Sequence, residues 1–400
     1  MRFILQGKIL RGAMRHYCAP AFFAGALALL STLAGCSQRD FPDYPARYRE
    51  YAYVSNGGSN TVTVLDVVNV RQDRVLPVGL NPTGVAVNPT RNEVYVVNTG
   101  SNSVSVIDAE KKSVVATIPV HRLPYFISVN RQGTRAYVAN SGSNNVSVID
   151  LAKRREVAAV GVGEAPGMAK ISPDGNTLVV SNRKSGSVSI VDAATLRVRS
   201  VFSGCPGATD VAILPDSSKA FIACSDGHQV LALQLQSMPS ARRKNTRPRA
   251  DALLALLDVG KTPVSLALKP DGGEIFVSNY GSGSVSEIDT STNEVGAAYL
   301  IGSHPVRGLV SADNSTLYVS DFDADSLGVF SVEDAELVGT ARTGDGPDAL
   351  AFSNAGHLLF AVDARSGDVS VIRTLTHTLF TMLPAGSKPN DIAVKAFNVR

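Results

Sequence analysis

Eight times along this chain a four-residue phrase recurs, an aromatic or β-branched residue followed by two small or apolar ones and then, in most copies, asparagine. The copies are Tyr53-Val-Ser-Asn56, Tyr95-Val-Val-Asn98, Tyr137-Val-Ala-Asn140, Val179-Val-Ser-Asn182, Phe221-Ile-Ala-Cys224, Phe276-Val-Ser-Asn279, Tyr318-Val-Ser-Asp321 and Phe360-Ala-Val-Asp363. The last residues of the first five fall 42 positions apart, and after one interval of 55 the period of 42 resumes. A fixed period of this size is the mark of a repeat architecture, in which each unit buries its apolar face only against its neighbours.

Each period holds four short runs rich in Val, Ile and Thr. In the second they are Gly84-Val-Ala-Val87, Glu93-Val-Tyr-Val-Val97, Ser103-Val-Ser-Val-Ile107 and Ser113-Val-Val-Ala-Thr-Ile118. β-Branched residues at this density favour strands. Asn88-Pro-Thr-Arg-Asn92, Asn98-Thr-Gly-Ser-Asn102 and Asp108-Ala-Glu-Lys-Lys112 supply the turn chemistry between them. Four antiparallel strands per period predict an all-β fold, a β-propeller of four-stranded blades. The first copy has no inner strand ahead of it, and a spare one, Asp391-Ile-Ala-Val-Lys-Ala396, follows the last copy. That strand should complete blade one and close an eight-bladed ring, leaving no open edge.

Tyr-Val-x-Asn, Gly-Ser-x-x-Val-Ser-Val-Ile-Asp and Pro-x-Gly-Val-Ala-Val resemble the YVTN β-propeller repeat family over residues 51 to about 396. The resemblance implies that the Pro-x-Gly-Val-Ala-Val strand lines the central channel. Many members have seven blades, which makes seven the alternative count.

The start of the chain carries an address. Residues 1–35 hold Arg2, Lys8, Arg11 and Arg15, no acid, and an apolar run from Ala19 to Ala34, the composition of a signal peptide. Met14 is an alternative start to Met1. Leu33-Ala34-Gly35-Cys36 resembles the bacterial lipobox, which implies a diacylglyceryl group on Cys36 and anchorage in a membrane through lipid. Ser37 after it resembles the outer-membrane sorting pattern, so the expected location is exported, in the outer membrane or on the cell surface. Residues 36–50 read as a tether and 51–396 as the propeller. Without the leader the 38 Lys+Arg fall by four, to 34 against 35 Asp+Glu, so the basic balance gives no argument for nucleic acid.

Identical features in every blade are scaffolding, so function is sought where copies differ. In blade five Cys224 takes the asparagine position and Cys205 lies in the loop ahead of the inner strand, beside it in an antiparallel pair. In an oxidising compartment these two predict a disulfide. The same blade carries the long insertion 237–251, with Arg242, Arg243, Lys244, Arg247 and Arg249. It reads as a solvated loop first and as a site for acidic lipid or polysaccharide second. Asp321, Asp323 and Asp325 offer oxygen ligands at calcium-like spacing, without the glycine and glutamate of an EF-hand loop. Loops around the repeated proline bring His121, Arg122, Tyr125, Lys261, His304, Arg307 and Asp348 to one rim, the expected place for ligand contact.

Catalytic signals are thin. His121, His228, His304, His357 and His377 are spread over blades, and no Cys-x-x-Cys-His or Gly-x-Ser-x-Gly occurs. The expectation is a lipid-anchored, exported binding or interaction scaffold, non-enzymatic and without a cofactor apart from possible calcium coordination. Its partner would be an envelope protein, a polysaccharide or a small ligand. A propeller hydrolase such as a lactonase is the alternative by analogy of fold, and a structural surface-coat protein the third reading.

Overall fold

In the computed structural model, residues 41–236 and 250–399 are described. The leader, Cys36 and the basic stretch of the insertion therefore lie outside the described residues. The rest forms eight four-stranded antiparallel sheets, each running inner to outer in chain order except the first. Blade one takes Tyr48–Asn56, Thr61–Asp66 and Arg71–Pro77 from the start of the chain and Pro389–Asn398 from its end. Tyr48 pairs with Asn398 and Ser55 with Asp391, so a ring of eight is closed by a strand from the far terminus.

The pairing starts earlier and ends later than the repeat itself announces. Pro45 accepts a turn bond from the Tyr48 N–H, and the Tyr44 and Tyr48 rings stack with centroids 5.0 Å apart. Phe41 lies against Phe380 at 5.3 Å, and the Tyr44 hydroxyl is 3.1 Å from His357 Nε2. The last part of the stretch read as a tether is thus fixed to blade eight. Its aromatic residues carry that attachment.

Every joint between blades has its own apolar core. Between blades one and two, for example, Tyr53, Val62 and Val64 meet Val85, Val94, Val96 and Ile107. The aromatic residue that opens each phrase is the centre of these joints: Tyr53, Tyr95, Tyr137, Phe221, Phe276, Tyr318 and Phe360 are all buried. Burying one such side chain is worth roughly 1.5–3 kcal/mol. In blade four the smaller Val179 does the same work. The pairing of third and outer strands shifts register once in each blade, at Val106/Ile107 in blade two and Val371/Ile372 in blade eight. Such bulges increase strand twist, which lets flat neighbours fan around an axis.

The turn after each phrase explains its asparagines and glycines. Asn60, Asn102, Asn144, Gly186, His228, Gly283, Asp325 and Gly367 occupy corresponding hairpin positions, all at positive φ. Asparagine and glycine adopt that conformation at least cost. The asparagines do a second job there. Asn60 Oδ1 accepts from the Asn81 N–H at 2.8 Å and Asn102 Oδ1 from the Leu123 N–H at 3.0 Å, each stitching one blade to the loop that enters the next. These hairpins and the loops entering the inner strands share one face, the upper face.

Candidate functional site at the channel mouth

Inner strands begin at the upper face and run down the channel, so their first residues surround its mouth. All eight blades contribute to a cavity of about 450 Å³ there. The alternation of a strand sends positions two residues apart to the same side, yet the residues at these equivalent places are not repeats of one another. Blades two to four supply Thr83, Gly84, Tyr125, Phe126, Gly167 and Met168, and blades five to one supply Thr209, Asp210, Val264, Arg307, Asp348, Asn390 and Asp391. Tyr125, Phe126 and Met168 form an apolar wall on blades three and four. Arg307 and Asp348 stand on blades seven and eight, half a turn away.

The charges there are held in two different ways. Asp210 is 5% exposed and saturated. Its Oδ1 lies 3.0 Å from Lys170 Nζ and accepts from the Val211 N–H, while Oδ2 accepts from the Leu266 N–H at 3.0 Å. Burial alone would raise its pKa, but Lys170, Arg307 and the Leu266 N–H outweigh burial and hold it below the usual carboxylate range.

Arg307 is the opposite case. Its guanidinium comes no closer than 3.8 Å to Asp348 Oδ1, and among the described residues its side chain has no hydrogen-bond acceptor. Deep in the ring yet 37% open to the channel, it keeps its charge. Burial would lower its pKa, but Asp348, Asp210 and Asp391 raise it further. Asp348 Oδ1 is buried and has no donor. Burial pushes the Asp348 carboxyl up despite Arg307. Asp391 accepts from the Val85 and Ile392 N–H groups at 2.9 Å each, and burial chiefly lifts it to about 6, with the Asp348 charge adding to the rise.

Of the rim residues read from sequence, the structure brings Tyr125, Arg307 and Asp348 to this cavity and leaves the others on the outer rim. His121 Nε2 pairs with Glu156 at 3.2 Å, and Arg122 and Lys261 are exposed. His304 stacks on Tyr280 at 4.5 Å and its Nδ1 lies 2.6 Å from Asp323 Oδ2. The three aspartates of blade seven are engaged separately. Asp321 accepts from the Ser303 and His304 N–H groups, Asp323 pairs with His304 and Arg365, and Asp325 accepts from the Gly346 N–H. Among the described residues no three His, Cys, Asp or Glu side chains come together as a metal site. Cys205 and Cys224 form a disulfide with Cα atoms 4.8 Å apart.

The sequence reading does not single out Lys170 or Asp210, and Asp391 enters it only as the first residue of the closing strand. The signal was present: aligning the first six residues of the eight inner strands, seven on their opening proline and blade five on Ala208, shows Lys170, Asp210, Arg307, Asp348 and Asp391 as the charged departures. A broader groove of about 720 Å³ crosses the rim of blades four and five; its charged residues, Arg183, Lys184 and Asp226, are exposed, and Arg183 also lines the channel mouth.

Comparison with known proteins agrees on the fold. A model of the YNCE-like beta-propeller matches residues 40–172, and that of the 7-bladed beta-propeller lactonase matches 309–379. A seven-bladed beta-propeller protein of Mycobacterium tuberculosis, Rv1057, is 29% identical over 142 residues, 32% of this chain and 35% of its own length. The matched part thus spans about a third of that relative. Dihydro-heme d1 dehydrogenase NirN is 16% identical over 88% of this chain and 76% of its own, with a TM-score of 0.71. Apo AztD from Citrobacter koseri is 16% identical over 88% and 99%, at 0.65. The hydrazine synthase of Kuenenia stuttgartiensis is 24% identical over 80% and 92%, at 0.55. At these identities the likeness is one of fold. Two of the matched descriptions specify seven blades, where this chain has eight.

Proposed function

We propose that this β-propeller is a non-enzymatic binding protein of the cell envelope, tethered by lipid on Cys36, whose upper channel mouth takes a small charged organic ligand. One observation carries the reading. The variation between otherwise repetitive inner strands is concentrated in one cavity, which opposes an apolar wall to under-bonded charge. A few convergent polar groups in a mostly apolar concavity are what small-ligand sites require.

Gly167 offers a clean test. A Cβ there meets nothing nearer than Ser181 Oγ at 3.8 Å, and the residue does not need positive φ. Gly167→Trp should therefore plug the cavity with the fold intact. In a thermal-shift screen of charged metabolites, compounds that raise Tm in the native protein should leave the plugged variant unmoved. Shifts that survive the plug, or a screen without a single hit, would remove the channel as the site. The anchor is tested separately: incorporation of a labelled fatty acid should vanish in Cys36→Ala.

One observation favours a second reading. The lactonase match spans Asp348, the carboxyl raised by burial at the mouth. A displaced carboxyl in a cleft suits acid–base work. Hydrolysis of a lactone by the native protein, lost in Asp348→Asn, would establish that reading in place of simple binding.

A further inference from the structure

Resting on the channel mouth as the ligand site, we infer that its ligand is an α-amino acid with an apolar side chain, recognised as a zwitterion. Arg307 and Asp348 are opposite charges on adjacent inner strands, 3.8 Å apart, close enough to attract but without a hydrogen bond between them. At that distance they do not bond each other, so each retains unused bonding capacity. The guanidinium has donors without an acceptor, and Asp348 Oδ1 is a buried acceptor without a donor.

A ligand that carries carboxylate and ammonium on one carbon satisfies both at once. The planar fork of an arginine fits a carboxylate through two parallel bonds, and the ammonium would donate to Asp348. A simple anion would leave Asp348 orphaned and would meet Asp391 nearby. A simple cation would leave Arg307 unbonded. Lys170 and Asp210 do not enter the choice, because they already satisfy each other at 3.0 Å.

The other half of the molecule follows from the ring. Blades three and four lie across the channel from blades seven and eight, and there Tyr125, Phe126 and Met168 present apolar surface. An amino acid held by its head group at Arg307 and Asp348 would direct its side chain at that wall. The volume of about 450 Å³ accepts an aromatic one. The adjacency of the two charged side chains favours charges on one carbon over the wider separation in a peptide.

Three probes of one shape test this on the full-length chain in detergent by titration calorimetry: L-phenylalanine, phenethylamine, which lacks the carboxylate, and 3-phenylpropionate, which lacks the ammonium. A site with polar groups that must be paired rejects an analogue lacking one partner strongly. Phenylalanine should bind at least tenfold more tightly than either analogue. Arg307→Gln should erase its advantage over phenethylamine, and Asp348→Asn its advantage over phenylpropionate. A merely structural role for these residues would weaken all three probes together, and that pattern overturns the inference. Phenethylamine or phenylpropionate binding as tightly as phenylalanine overturns it too, while leaving the channel as a site for a plain cation or anion. If none of the three binds, the zwitterion is wrong, and the plugged-variant screen decides the channel independently.

Discussion

Blade two and blade eight build the same turn with opposite hydrogen-bond chemistry. In blade two the Asn98 amide donates to Ser103 and Ser105 at 3.1 and 2.9 Å and accepts from the Gly79 N–H at 3.1 Å. A Cβ on Gly79 would come within 2.6 Å of Asn98 Cγ, so the glycine is what lets the backbone approach this amide so closely. In blade eight Asp363 stands in that place and faces Asp368 where blade two has Ser103. Ser370 donates to Asp363 Oδ2 at 2.7 Å, while the Gly344 N–H, counterpart of Gly79, turns to Ser370 Oγ instead. Among the described residues Asp363 Oδ1 has no donor, and burial, reinforced by Asp368, raises this carboxyl to about 8. Where blade two has an amide, blade eight holds a carboxyl that burial and the facing Asp368 keep protonated to higher pH than usual. The fold thus specifies a bonded group at this position rather than a residue type. Blade five makes the same point with a covalent bond, Cys205–Cys224.

The comparison can be broken most heavily at the covalent version. Replacing both cysteines by alanine should cost about 3 kcal/mol, by the loop-closure estimate for a short loop, read as a lowered denaturant midpoint. A midpoint unchanged from the native protein would mean that the sheet holds this turn without a bond. Next in size is Asn98→Ala. It leaves Ser103, Ser105 and the Gly79 N–H short of partners in a buried turn and should cost about 2 kcal/mol. Asn98→Asp should cost less, because the two serine hydroxyls can rotate to donate.

Asp363→Asn should act in the other direction. A carboxyl whose folded pKa lies near 8, against roughly 3.9 in an unfolded chain, favours folding in full only below the unfolded value. That contribution is lost as pH rises through 8. The asparagine variant, restoring the amide of the other blades, should be no more stable than the native protein at pH 4 and increasingly more stable as pH rises from 4 toward 8. Equal gains at both values would show that the Asp363 carboxyl does not change charge between them. The smallest effect is expected from Asp368→Ser, which removes the like charge and copies blade two. Burial remains the main cause of the raised pKa, so the pH at which stability declines should move down only modestly, seen as a shifted pH profile of Tm.

Much of the fold was legible because the determinants of a blade are local. The Tyr-Val-x-Asn phrase, the αL hairpin residue four positions after it and the alternation of apolar residues each act within a few residues, so a period in sequence becomes a period in space. The closing strand was legible for the same reason, as a fragment left over when periods are counted. At the site, Tyr125, Arg307 and Asp348 were legible as departures from the repeat. His121 and His304 departed equally and went elsewhere, because loop tips splay outward to partners such as Glu156 and Asp323. Lys170 and Asp210 sit inside strands that otherwise read as ordinary repeat.

The amino-acid order alone settled the blade, the repeat, the sharing of one blade between the two ends and the pairing chemistry at each turn, since neighbours along the chain impose all of these. Which charges would share a cavity was decided only by closure of the ring. Asp391 reaches the Val85 N–H across 306 residues, and Arg307 finds Asp348 from the next period. Such contacts follow from the angle each joint between blades adopts, and that angle belongs to the packed core rather than to any single stretch of sequence.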